Sequence, residues 1–126
     1  MSTDYLLPEN ALEVVKGSSR TLPLEVTDPV TGLAVNLTSS SIYFTVKRKL
    51  SDAIPLIQKT TTLNTEIALT APRLGQAEIY LLPADTVRMD IGSYLFDVWV
   101  ILADGKRHPV VPPSSFEVKP SVTVLT

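Results

Sequence analysis

The segment Asp90-Ile91-Gly92-Ser93-Tyr94 and the run that follows it, Leu95 to Leu102, constrain this chain more than any other feature. Asp-x-Gly-x-Tyr opening a long alternating strand is the layout of a tyrosine corner. In that device the phenol turns back and bonds to backbone just upstream of its own strand. Gly92 permits the tight approach that this requires. Side chains alternate across a strand, so Tyr94, Phe96, Val98, Val100 and Leu102 share one face, and that face is predicted to point inward. Leu24 and Phe44 are the expected counterparts on the opposing sheet.

In immunoglobulin domains the position two residues after the corner tyrosine holds a core disulfide cysteine. Here it holds Phe96, and the chain contains no cysteine at all. The remaining sequence agrees with an all-β chain. Helical periodicity is nearly absent, and short β-branched and aromatic runs alternate with turn residues. Leu22, Leu24 and Val26 alternate with Thr21, Glu25 and Thr27. Pro23 removes one donor, which predicts a free edge or a break at that point. Asp28-Pro29-Val30-Thr31-Gly32 is a turn, after which Leu33, Val35 and Leu37 alternate again. Strands are expected at Ile42–Lys49, Ile54–Lys59, Gln76–Leu82 and Ser93–Ala103. Asp104-Gly105 is a strong hairpin signal, and the return strand is expected to break at Pro112-Pro113. Pro83 to Met89 carries the best helix-start chemistry, a proline at the first position with Asp85 behind it, and predicts one short helical turn. The fold expected is an immunoglobulin-like antiparallel β-sandwich of about seven to nine strands.

The 126 residues suit a single domain, 1–126, with extended arms at 1–10 and 120–126. Hydrophobic residues make up 44% and charged residues 19%, and the mean hydropathy is +0.21. That balance predicts apolar surface covered by another chain, in an oligomer or a larger assembly. The net charge is −2, and the one dense basic run is Lys47-Arg48-Lys49. A nucleic-acid binder needs a broader cationic surface, so this run is expected to be a solvated strand end that discourages edge pairing. The lack of cysteine favours folding in a reducing cytoplasm. The sequence from Met1 to Pro8 has no basic stretch followed by a long apolar one, so no signal peptide is expected. The longest apolar run, Val98 to Ala103, is too short for a membrane-spanning helix.

No constellation of residues points to catalysis. His108 is the sole histidine. It has no second histidine or cysteine to complete a metal site and no nucleophile motif beside it. Asp85, Asp90 and Asp104 are accounted for by a helix start, the corner and a turn. Asp97 lies mid-strand among apolar residues and is expected to pair with Lys47 or Arg107. Neither a cofactor nor a metal is expected, and the chain reads as a non-enzyme.

The face opposite Tyr94 should be polar if it meets water. Instead it carries Leu95, Trp99 and Ile101 around Asp97. Two explanations fit: either the chain's own segment Thr60–Arg73 covers this face, or the three residues dock another subunit, tryptophan being enriched at interface hot spots. Tyr5, Leu6 and Leu7 form an apolar N-terminal arm suited to adding a strand to a neighbouring sheet edge. The tail Val122–Leu125 either does the same or pairs within its own domain.

A succession of motifs carries a resemblance. It runs through Asn36-Leu37-Thr38, then Ile42-Tyr43-Phe44-Thr45-Val46-Lys47, Ile57-Gln58-Lys59 and Gly75-Gln76-Ala77-Glu78-Ile79-Tyr80-Leu81. It continues with Pro83-Ala84-Asp85-Thr86, Gly92 to Val98, Asp104-Gly105-Lys106 and Ser115-Phe116-Glu117-Val118. In this order they resemble the small immunoglobulin-like sandwich domains of tailed-bacteriophage virion proteins, such as the N-terminal domain of upper baseplate proteins. The chain departs from that pattern at Pro109-Val110-Val111-Pro112-Pro113. The resemblance implies a structural virion protein made in the host cytoplasm: a neck, baseplate or tail adaptor, or a capsid decoration. Its partners would be other virion proteins, with neither nucleic acid nor membrane as a target. The alternative from the residues themselves is a carbohydrate- or cell-surface-binding module.

Overall fold

The computed structural model describes residues 2–3, 11–62 and 65–123. Nine strands lie in these residues: β1 (Ser2–Thr3), β2 (Leu12–Val15), β3 (Arg20–Thr27), β4 (Ser41–Lys47), β5 (Ile57–Thr60), β6 (Ile67–Ala71), β7 (Gln76–Leu81), β8 (Gly92–Ile101) and β9 (Arg107–Lys119). They form a four-stranded sheet, β1-β3-β7-β6, and a five-stranded sheet, β2-β9-β8-β4-β5. Lettered in the immunoglobulin manner, these sheets read A-B-E-D and A′-G-F-C-C′. The chain is an immunoglobulin-like β-sandwich. One pairing departs from the antiparallel rule: β2 runs parallel to β9, with Leu12 opposite Phe116. The N-terminal part thus contributes β1 to one sheet and β2 to the other.

The inward faces follow the period of two. Leu22, Leu24 and Val26 of β3 and Ala77, Ile79 and Leu81 of β7 are buried from one side. Ile42, Phe44 and Val46 of β4 and Tyr94, Phe96, Val98 and Val100 of β8 are buried from the other. Leu24 therefore lies in the sheet that opposes β8, as expected, but Phe44 does not. β4 is hydrogen-bonded directly to β8, with Phe44 beside Val98. Phe44 instead joins Phe96 and Phe116 in an aromatic triad, with ring centroids 5.7, 6.2 and 6.4 Å apart. Offset and edge contacts at these distances add about 0.5–1.5 kcal/mol each beyond the burial itself.

Several local expectations change in the folded chain. Residues 33–37 form a loop, not a strand. Leu37 is buried, but Leu33 is exposed, and Ala34 makes only an isolated bridge to Thr27. β3, by contrast, keeps the expected free edge at Pro23 and continues through it. There β1 covers only Thr27 and Val26, so the proline needs no donor on that side. β9 also continues through Pro112 and Pro113. Opposite Asp97 of β8 it places two residues, Pro112 and Pro113, and between the partners of Val98 and Trp99 it carries one extra residue, Val110. These bulges absorb the prolines and bury the consecutive residues Val110 and Val111. The helical turn α1 spans Pro83–Thr86, shorter than the expected reach to Met89. In the tail, residues 121–123 form no strand, and Val122 is fully exposed.

Gly75 closes the knot that holds the 33–37 loop. Its carbonyl accepts from Val26 N–H at 2.8 Å, while Val35 N–H donates to the Val26 carbonyl at 3.0 Å. At φ +70° a Cβ on Gly75 would lie 2.4 Å from the Val26 oxygen. Backbone cannot yield there as a flexible side chain would. Gly75→Ala is expected to cost more than about 3 kcal/mol in urea unfolding. The hairpin glycine Gly105 has a comparable φ but open space around it, so Gly105→Ala should cost only about 1 kcal/mol.

Candidate interaction cleft on the outer sheet face

The corner positions β8 and therefore everything on both of its faces. Tyr94 Oη donates to the Asp90 carbonyl at 2.6 Å, and the tyrosine is buried. Gly92 adopts φ +149°, a conformation that favours glycine. Arg48 crosses over the Tyr94 ring at 5.2 Å and reaches Asp90 Oδ2 at 3.7 Å. Both members of that ion pair are well exposed, so it adds little. Removing the phenol oxygen isolates the corner bond: Tyr94→Phe is expected to lower unfolding free energy by about 1 kcal/mol, read by urea titration.

With Tyr94 turned inward, the odd positions of β8 point out. There Leu95, Asp97, Trp99 and Ile101 stand beside Lys47, Thr45, Tyr43 and Ser41 of β4, respectively. Leu95, Asp97 and Trp99 line a shallow cleft of about 330 Å³, walled by Leu50, Pro55 and Pro113 and floored by Thr45 and Gln58. Trp99 is 39% exposed. The segment covering one side of this face is the β4–β5 loop, residues 48–56, not Thr60–Arg73. The loop is anchored where Leu56 N–H donates to the Val46 carbonyl at 2.8 Å. Pro113 arrives from the bulged part of β9. Ile101 lies on the same face but does not line the cleft. Tyr5, Leu6 and Leu7 lie outside the described residues.

Asp97 does not take a cation. Its Oδ2 accepts the indole N–H of Trp99 at 3.2 Å. The two residues are i and i+2 on one face, so the carboxylate holds the ring along its own strand. Gln58 Nε2 donates to Thr45 Oγ1 at 3.4 Å across β5 and β4. The cleft thus offers one oriented aromatic ring, apolar walls, and a short row of groups able to donate or accept hydrogen bonds.

A pair that the sequence reading missed lies behind this face. Lys59 of edge strand β5 points inward, 4% exposed, and its Nζ meets Asp85 Oδ2 at 2.8 Å. The same oxygen accepts Leu82 N–H at 2.7 Å, which caps α1. Thr86 adds a second tie, accepting Gly17 N–H at 2.8 Å. The Ile57–Lys59 alternation was the available signal, since it places the lysine on the inward face. An inward charge on an edge strand also opposes pairing with a foreign strand. Asp85→Ala would leave the ammonium buried and unpaired and is expected to cost about 3 kcal/mol or more. Lys59→Met keeps the volume and leaves Asp85 bonded to Leu82 N–H, so it is expected to cost less than Asp85→Ala, both by urea titration.

The groups displaced from their ordinary protonation range lie elsewhere. Val30 and Thr31 N–H groups pull the Asp28 carboxyl down, a hydrogen bond to Glu78 pushes the Tyr80 phenol up, and Glu117 pushes Lys119 up. Each is a local surface arrangement, and none of the three lines the cleft. His108 lies on β9 opposite Val100. Among the described residues no three histidine, cysteine or carboxylate side chains gather as a metal site.

No family model matches this sequence, and no curated protein matches it. Among solved structures, the chain is similar to CopC from Methylosinus trichosporium OB3b. The TM-score is 0.50 at 16% identity, over 98% of this chain and 99% of that one. Murine CRIg matches with a TM-score of 0.45 at 15% identity, over 93% of this chain and 98% of that one. At such identity the likeness to CopC speaks for the sandwich fold and for nothing finer.

Proposed function

We propose that this chain is a non-enzymatic structural subunit of a tailed-phage particle, acting by protein–protein docking through the cleft beside Trp99. The observation that carries docking is the composition of an outer sheet face. A solvated face would be polar, whereas this one places Leu95, Trp99, Leu50, Pro55 and Pro113 around a concave opening. Aromatic anchors with apolar walls are the usual centre of a protein interface. The high mean hydropathy, +0.21, supports the same reading. The placement in a phage neck, baseplate, tail or capsid rests on the ordered succession of motifs from Asn36 to Val118. Docking of this kind uses no cofactor and no reacting group.

One observation favours a second reading, a carbohydrate-binding module. Trp99 stands beside Asp97, Gln58 and Thr45, which pairs a ring face with hydrogen-bonding groups, as sugar recognition requires. Binding on a glycan array that disappears with Trp99→Ala would favour that module over docking.

The direct test counts this chain against the major capsid protein in purified particles by quantitative mass spectrometry. The expected result is a fixed copy number, and absence from intact particles would overturn the virion reading. Trp99→Ala tests the cleft itself. Because the ring is partly exposed, urea stability should fall by less than about 1 kcal/mol while incorporation into particles is lost. Unchanged incorporation with a stability loss above about 2 kcal/mol would make Trp99 an internal packing residue instead.

A further inference from the structure

Resting on the docking reading above, we infer that the outer face of the five-stranded sheet pairs with the same face of a second copy of this chain. Two opposite charges share the cleft. Lys47 and Asp97 both line it, on adjacent strands and one step apart: Lys47 stands opposite Leu95, and Asp97 opposite Thr45. Such diagonal positions are about 7–8 Å apart at the backbone. The two groups form no ion pair with each other. Among the described residues the ion pairs are Arg48–Asp90, Lys59–Asp85, Lys106–Asp104 and Lys119–Glu117. Covering the cleft therefore desolvates one cation and one anion, which is unfavourable unless each meets an opposite charge.

A second copy brings that pair of charges in the required order. A two-fold axis lying in the interface and passing midway between Lys47 and Asp97 carries each position onto the other. Each lysine then faces the aspartate of the other copy, and two identical ion pairs form. On a strand lattice of about 3.4 Å per residue and 4.8 Å per strand, the same axis lays Trp99 of one copy over the loop wall of the other. That wall carries Leu50 and Pro55, and Leu50 is well exposed. The apolar and charged parts of the patch are thus complementary to themselves, as an isologous interface requires. At these spacings the seven residues of β4 and the five strands span roughly 20 by 19 Å, about half of what is needed. The loop at 48–56 extends this toward the ~800 Å² per partner of a stable interface.

The test is sedimentation of the full chain at about 100 μM, comparing wild type, Lys47→Glu, Asp97→Lys and an equimolar mixture of the two variants. Wild type should sediment as a dimer. Each variant alone places like charges across the interface twice and should dimerise at least ~10-fold more weakly. The mixture should recover the dimer, because each variant supplies the charge the other has lost. A monomeric wild type, single variants that dimerise as wild type does, or a mixture no better than its components would each overturn the inference. Circular dichroism checks folding. If a charge reversal fails to fold, Lys47→Gln and Asp97→Asn replace it, and each should weaken the dimer, with an unweakened dimer overturning the inference. The two readings fail separately. A monomeric wild type whose Trp99→Ala variant is lost from particles removes self-pairing and keeps docking in the virion. A dimer rescued by mixing, with the chain absent from intact particles, keeps self-pairing and removes the virion role.

Discussion

The contact on which the rest depends is the aromatic triad of Phe44, Phe96 and Phe116. Its members come from β4, β8 and β9, three neighbouring strands of one sheet, and all are fully buried. In a cysteine-containing sandwich the position of Phe96 would be tied covalently to the opposing sheet. Here the tie is apolar area and ring geometry. Burying a phenylalanine contributes about 1.5–3 kcal/mol, and the triad belongs to one buried apolar cluster with Leu22, Leu24 and Ile79 of the opposing sheet. The sandwich therefore stands without a disulfide, provided that the triad stays intact.

Phe96 also connects the core to the surface. Tyr94, two residues before it, closes the corner onto Asp90, and the strand leaves the corner with its phase fixed. Once Phe96 points in, Leu95, Asp97 and Trp99 must point out. The bulges on β9 lie opposite this same stretch, between Phe96 and Trp99. They accommodate residues 109–113 without ending the strand, and they bring Pro113 to the rim of the cleft. A register slip of one residue would exchange the faces and expose the triad, so the core interaction that stabilises the fold also determines which residues the cleft displays.

Strand phase was legible in the sequence because it depends on local alternation. The corner, the inward set on β3, β4 and β8, the hairpin at Asp104-Gly105 and the helical turn after Pro83 all rest on residues close together in the chain. So did the apolar character of the outer face, since Leu95, Trp99 and Ile101 fall on one parity. The failures share a cause. Residues 33–37 alternate like a strand, yet the knot at Gly75 holds them as a loop, and the closing atoms come from residues about forty positions away. Prolines 112 and 113 look like strand breakers, yet bulges receive them.

Fold class and the two faces of each strand follow from local pattern alone, because side-chain alternation, turn chemistry and the corner motif are short-range. Which strands became neighbours emerged only in the folded chain. That placed Phe44 beside Phe96 in one sheet, not across from it, and brought Lys59 of an edge strand to Asp85 at the start of a helical turn. Folding also gave Asp97 an indole partner in place of a cation and made the 48–56 loop, not residues 60–73, a wall of the cleft. Each of these depends on pairing between distant segments, whose order is set by how all the apolar faces close together and not by any one segment's pattern.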